Sequence, residues 1–113
     1  MRDEDRLALA VLFEPCLPLF REVLDALTAR YPEAVLTVQR SQLKIGPRAG
    51  FCQLWPSGRR LMLTFGLRRA IIHPRIRHCA HPTPTRWTYH VELQSAEDLD
   101  EALFLWLDEA QDG

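Results

Sequence analysis

The residues best suited to chemistry in this sequence lie in one stretch, from Ala34 to Val91, which we call the basic segment. Its 58 residues include no aspartate or glutamate, whereas all fifteen acidic residues of the chain lie outside it. The segment therefore carries a formal charge of +10, against −11 for the other 55 residues. All four histidines also fall within it, together with ten basic side chains: Arg40, Lys44, Arg48, Arg59, Arg60, Arg68, Arg69, Arg75, Arg77 and Arg86.

Arginine outnumbers lysine nine to one in the basic segment. A planar guanidinium group binds phosphate or carboxylate through paired hydrogen bonds, so this bias favours recognition of an anion. We predict a binding domain, without catalysis or a cofactor, for a small anion (phosphate or carboxylate) or an acidic protein segment. The candidate ligand-binding residues are Lys44, Arg68, Arg75, Arg77, Arg86 and His90. The alternative is a solvated surface whose charges are balanced by acidic helices and protect strand edges from aggregation.

A second cluster of reactive residues lies near the end of the basic segment and consists of His73, His78, Cys79 and His81. Imidazole and thiolate are zinc ligands, and Cys52 and His90 could join them. The spacing matches no known zinc finger, however, so ordinary loop histidines are favoured and metal binding stays open. A cysteine beside a histidine is also the pattern of a nucleophile and its base, which leaves a small enzyme as an alternative. Cys52 lies in a predicted strand, where a packed core residue is more usual.

The spacing of apolar residues predicts the elements that position these side chains. Apolar residues recur every three or four positions in two segments, which predicts helices over Leu19–Arg30 and Ala96–Ala110. Between them the period changes to two, which predicts the strands Ala34–Arg40, Gln42–Ile45, Phe51–Trp55, Arg60–Leu67 and Arg86–Leu93. The passage from Arg68 to Thr85 is predicted to be a long irregular loop, in which residues 70–72 could add a short strand.

The short connections between the predicted strands suit antiparallel hairpins. In Arg60–Leu67 and Arg86–Leu93 the alternation gives one hydrophobic face, against which helices can pack, and one polar, cationic face. We therefore predict an α+β fold: an antiparallel sheet of about five strands with an N-terminal and a C-terminal helix packed on one face. The single domain is expected to cover residues 13–111, after an N-terminal extension over residues 1–12.

Composition limits the location of the protein. No apolar run approaches the length of a membrane span, and the first residues lack the cationic front of a secretory signal. The three cysteines are an odd number at wide spacings, which is not the pattern of a disulfide framework. We predict a cytoplasmic location with reduced thiols and no membrane partner.

The end of the chain carries a motif of the form LxSxxDLDExxxWLxEA, in which Ser95 and Asp98 have the spacing of a capping box. Together with the preceding strand and with the Ser41–Ile45 and Phe51–Pro56 segments, this motif resembles a small bacterial family described only as a domain of unknown function. The resemblance covers roughly residues 13–111. It implies the α+β fold and the role of an accessory binding module, and it implies no activity.

Two other partners remain open. A cationic sheet can bind single-stranded nucleic acid by stacking bases on aromatic residues. The predicted polar face has few aromatic residues, and the acidic helices would repel a long polyanion, so a compact anion fits better. The +10 segment of one copy and the −11 remainder of another could also associate as a homodimer.

Overall fold

A computed structural model describes all 113 residues and confirms the α+β class. Three α-helices are present: α1 (Asp3–Leu12), α2 (Leu17–Arg30) and α3 (Glu101–Asp112). The strands are β1 (Leu36–Val38), β2 (Leu43–Ile45), β3 (Cys52–Ser57), β4 (Arg60–Leu67), β5 (Ile76–Thr83) and β6 (Arg86–Leu93). They form one antiparallel sheet in the order β1-β2-β3-β4-β6-β5, so β6 lies between β4 and the edge strand β5.

The sheet has six strands rather than about five, because eight of the eighteen residues in the predicted loop over residues 68–85 form strand β5. This strand and β6 form a hairpin. Two register shifts, between Ile76 and His78 and between Ala80 and Thr83, interrupt the alternation that would have revealed β5 in the sequence. Residues 70–72 form no strand, and Ile72 is fully exposed.

The helices cover one face of the sheet, as predicted. On that face Leu54, Leu63 and Val91 lie opposite one another across β3, β4 and β6, and all three are completely buried. Helix α2 contributes Phe20, Val23 and Leu27 to the same core, and α3 contributes Leu103 and Leu107. The spacing of three to four residues places these side chains on one face of each helix.

The helix ends follow from local chemistry. Helix α2 has a proline in its first turn, where the missing N–H costs nothing. Helix α3 begins later than predicted, because the carboxylate of Asp98 closes a separate turn by accepting a hydrogen bond from the Ser95 N–H at 3.1 Å. Asp100 then caps α3 by accepting from the Leu103 N–H at 3.0 Å.

The residues predicted as an N-terminal extension include α1, whose Leu9 is buried in the common core. The outer side of α1 leaves Leu7 and Val11 exposed. None of the three helices has both the length and the apolar character that a membrane crossing requires.

Candidate functional site

Three arginines of the basic segment bind carboxylates. The Arg69 guanidinium lies 2.9 Å from Glu109 and that of Arg77 lies 3.9 Å from Glu92. The third, Arg75, donates to the carboxylate of Asp100 at 2.9 Å and to the carbonyl of Asp98 at 2.5 Å. Two of the six candidate ligand-binding residues, Arg75 and Arg77, are thus engaged within the protein.

Two further candidates, Lys44 and His90, lie on the sheet face that no helix covers. They belong to one row that crosses five strands: Lys44, Gln53, Thr64, His90 and His78. Neighbouring strands are about 4.8 Å apart, so three strand spacings separate Lys44 from His90 by roughly 14 Å. The Lys44 ammonium group donates to the Arg48 carbonyl. No single small anion can contact both residues.

The remaining two candidates, Arg68 and Arg86, come together. Arg68 follows the last residue of β4 and Arg86 begins β6, one position beyond the paired residues Leu67 and Trp87. A cleft of about 530 Å³ lies beside them and is lined by Arg68, Thr83, Thr85 and Arg86. All four lining residues are exposed. Neither guanidinium has an ion pair or a side-chain hydrogen bond, in contrast to those of Arg69 and Arg75. We call this site the arginine cleft.

Gly66 makes room for one of the two guanidinium groups. A Cβ atom built on Gly66 would lie 2.6 Å from a terminal nitrogen of Arg86 and 3.0 Å from its Cζ. The Arg86 side chain therefore lies flat across β4 at the only kind of residue that permits such an approach. A glycine inside a strand was the signal in the sequence that could have located this contact.

The C-terminal end of α3 determines from which side an anion can enter the arginine cleft. A second cleft of about 290 Å³ also contacts Arg68 and Arg86, and it is bordered by Glu109, Asp112 and Gly113. The carboxylates of Glu109 and Asp112 and the negative end of the α3 helix dipole make that side unfavourable for an anion. An anion would therefore approach from the side of Thr83 and Thr85, where only hydroxyl and guanidinium groups line the cleft.

The middle of the uncovered face is aromatic rather than cationic. The indole N–H of Trp55 donates to the Thr64 hydroxyl at 2.8 Å, and its ring meets the edge of His90 at 5.5 Å between centroids. His90 in turn lies 5.1 Å from His78. Burial, and after it the electrostatic effect of the neighbouring His78, lowers the pKa of His90. The cations predicted for this face lie mainly at the strand ends.

The predicted cluster of histidines and Cys79 is divided by the structure. His73 meets the edge of Trp106 at 5.1 Å, and His81 stacks on Trp87 at 4.2 Å, whereas His78 pairs with His90. No three His, Cys, Asp or Glu side chains come together in a group that could hold a metal ion.

The cysteines differ strongly in their exposure. Cys52 is completely buried, as its strand position predicted, and burial raises the pKa of its thiol. A thiol in that environment is a poor nucleophile. Cys79 is exposed on the edge strand.

The cleft between the ends of α2 and α3 measures about 600 Å³ and is held by polar contacts between its own residues. The Tyr31 hydroxyl donates to the Asp108 carboxylate at 2.7 Å, and Arg30 donates to the same carboxylate at 2.5 Å. The bonds from Arg30 and Tyr31 lower the pKa of Asp108. The pKa of Tyr31 is raised, mainly by burial and to a smaller extent by the bond to Asp108. Because these groups satisfy one another, they offer little to a ligand.

Comparisons with protein-family models, with curated proteins and with solved structures find no match for this chain. The resemblance to a bacterial domain family stays a prediction, and the function has to be inferred from the site itself.

Proposed function

We propose that this protein is a non-enzymatic binding domain that holds a phosphate or carboxylate group in the arginine cleft. The observation that carries the proposal is the pair of unpartnered guanidinium groups of Arg68 and Arg86 beside one cleft. An arginine at or near the surface usually finds a carboxylate when one is near, as Arg69 and Arg75 do. Two free guanidinium groups that line the same cleft repel each other, and an anion bound by both reduces that repulsion.

The size and chemistry of the arginine cleft support a small anion. Its volume of about 530 Å³ falls within the range of about 300–1,000 Å³ that small-molecule sites occupy. The hydroxyl groups of Thr83 and Thr85 can add hydrogen bonds to those of the two guanidinium groups. The lining contains no carboxylate or imidazole that could serve as a general base, which favours binding over catalysis.

The expected affinity is modest because the cleft is open to solvent. A hydrogen bond to a charged group contributes about 1.5–3 kcal/mol, so two such contacts give roughly 3–6 kcal/mol. That range corresponds to a Kd between about 6 mM and about 40 μM. The same chemistry would bind a carboxylate of an acidic protein segment, including one from the acidic helices of a second copy.

A cytoplasmic location is part of the proposal, because all three thiols are free.

Thermal unfolding at fixed ionic strength tests the proposal. Phosphate at ten times its Kd should add about 1.4 kcal/mol to the free energy of unfolding and raise the Tm of the wild-type protein by several degrees. The Arg68→Ala and Arg86→Ala variants should lose most of that rise. Arg59→Ala is the matched control, because Arg59 is an exposed arginine in the turn between β3 and β4 with no ion pair.

The same rise in Tm in all four proteins would contradict the proposal. Titration with a short acidic peptide in place of phosphate separates the two sources of the anionic group. Sedimentation with and without phosphate reveals any competing association of two copies.

A second candidate function is supported by Trp55, which lies on the uncovered face beside His90. An aromatic side chain on an open sheet face can stack a base of single-stranded nucleic acid. Binding of that kind would weaken steeply with salt and would be lost in Trp55→Ala while surviving in Arg68→Ala. Glu92 on the same face opposes it, so we place it second.

A further inference from the structure

His78 and His90 form a cross-strand pair at the edge of the sheet. They lie directly opposite each other in β5 and β6, with ring centroids 5.1 Å apart and ring planes inclined by 49°. His78 is exposed and His90 is half-buried, and no helix covers this face. The pair is separate from the arginine cleft, because Arg86 lies four residues from His90 along β6, or roughly 13 Å.

The separation of the rings matches that of two imidazoles that share one metal ion. A zinc ion binds imidazole nitrogen at about 2.0–2.1 Å, which places two rings in a tetrahedral site about 5 Å apart from centroid to centroid. The observed separation is 5.1 Å. Rotation of the two side chains about their own bonds would therefore suffice to bring a nitrogen of each to one ion, and the strands need not move.

The surroundings of the pair do not oppose a cation. The other groups near the pair are the indole of Trp55, the hydroxyl of Thr64 and the ion pair of Arg77 with Glu92. None of them places an unpaired positive charge against the rings.

We propose that His78 and His90 together bind one divalent transition-metal ion of the zinc and copper class, with water at the remaining positions. Two protein ligands give a site weaker than a structural zinc site, and copper(II) should bind more tightly than zinc or nickel. Because β5 pairs only with β6, an ion held between the two histidines stabilises the attachment of the edge strand to the sheet.

The experiment is a titration of the full chain with Ni²⁺, monitored by calorimetry and by thermal unfolding. It is made in a Cys79→Ser background, because the exposed thiol of Cys79 would bind metal by itself. His78→Ala and His90→Ala should each lower the affinity for Ni²⁺ at least tenfold and abolish the rise in Tm. Acidification should also weaken binding, since protons compete with a metal ion for imidazole nitrogen.

His81→Ala provides the matched control, because His81 lies on the same strand but stacks on Trp87. It should bind Ni²⁺ as the background protein does. The proposal is overturned if His78→Ala keeps the full affinity, or if His81→Ala loses as much affinity as His78→Ala. His78 is exposed, so its replacement should leave the fold intact, and circular dichroism of each variant verifies this.

Discussion

Replacement of Gly66 by alanine should separate ligand binding from stability. The new methyl group would lie 2.6 Å from a terminal nitrogen of Arg86 and 3.2 Å from its Nε. Non-bonded atoms prefer separations of about 3.5–4.0 Å, so the guanidinium group must move by roughly 1 Å. The backbone itself accepts alanine, because Gly66 is not among the residues with positive φ. The strain therefore falls on the end of a flexible side chain.

The two effects of Gly66→Ala have opposite signs. A displaced guanidinium loses the geometry of its bonds to the anion, and one charged hydrogen bond contributes about 1.5–3 kcal/mol. We expect phosphate to bind roughly ten- to a hundredfold more weakly. Alanine in a strand is favoured over glycine by about 0.5–1 kcal/mol, so the free energy of unfolding without ligand should stay equal or rise.

Phosphate titration by calorimetry and urea unfolding measure the two effects on the same preparation. Gly58→Ala is the converse control. Gly58 has φ of 61° in the turn between β3 and β4, and a Cβ atom there would meet nothing within 4 Å. That variant should lose about 1 kcal/mol of stability while phosphate binding is unchanged. Wild-type affinity in Gly66→Ala would refute the role we assign to the position of Arg86.

Three further predictions concern other parts of the molecule. Tyr31→Phe should lower the free energy of unfolding by about 1 kcal/mol near neutral pH through loss of the bond to Asp108. Because the folded-state pKa of Asp108 is depressed, the loss of stability in Tyr31→Phe should be full above about pH 4 and should shrink as acid protonates the folded carboxyl group. Urea unfolding that shows a constant loss down to low pH would contradict the role of this hydrogen bond. Arg75→Ala should lower the free energy of unfolding by about 1–2 kcal/mol, because its two acceptors, the Asp98 carbonyl and the Asp100 carboxylate, lie in the segment that leads into α3. Phosphate affinity should be unchanged. Weaker phosphate binding in calorimetry would instead show that Arg75 belongs to the anion site. In the folded protein a thiol reagent should modify Cys79 rapidly and Cys52 only after unfolding, and rapid modification of both in a timed assay would contradict the burial described above.

The elements that the sequence predicted most accurately are those that have one face buried against neighbouring elements. Strands β4 and β6 have the predicted bounds, because helices cover one side of them and a large apolar side chain recurs at every second position. Strand β5 was missed because most of its residues are exposed, so no alternation of burial shaped its sequence. Its single proline, Pro82, and its register shifts are typical of an edge strand that avoids pairing with other chains.

The candidate site was predicted as a set of residue types but not as a location. The absence of acidic residues from the basic segment suggested free cations, whereas Arg69 and Arg75 meet carboxylates 40 and 25 residues away in the sequence. Such pairing depends on where α3 packs, which local sequence cannot encode. The meeting of Arg68 with Arg86 likewise requires the knowledge that β6, and not β5, lies beside β4.

The most direct test of the anion-binding proposal is NMR of the arginine side-chain Nε–H groups during a phosphate titration at constant ionic strength. The account predicts that the Arg68 and Arg86 signals shift together and saturate with a single Kd, while those of Arg59 and Arg75 stay in place. Shifts of similar size at all arginines, or no saturable shift at Arg68 and Arg86, would contradict it.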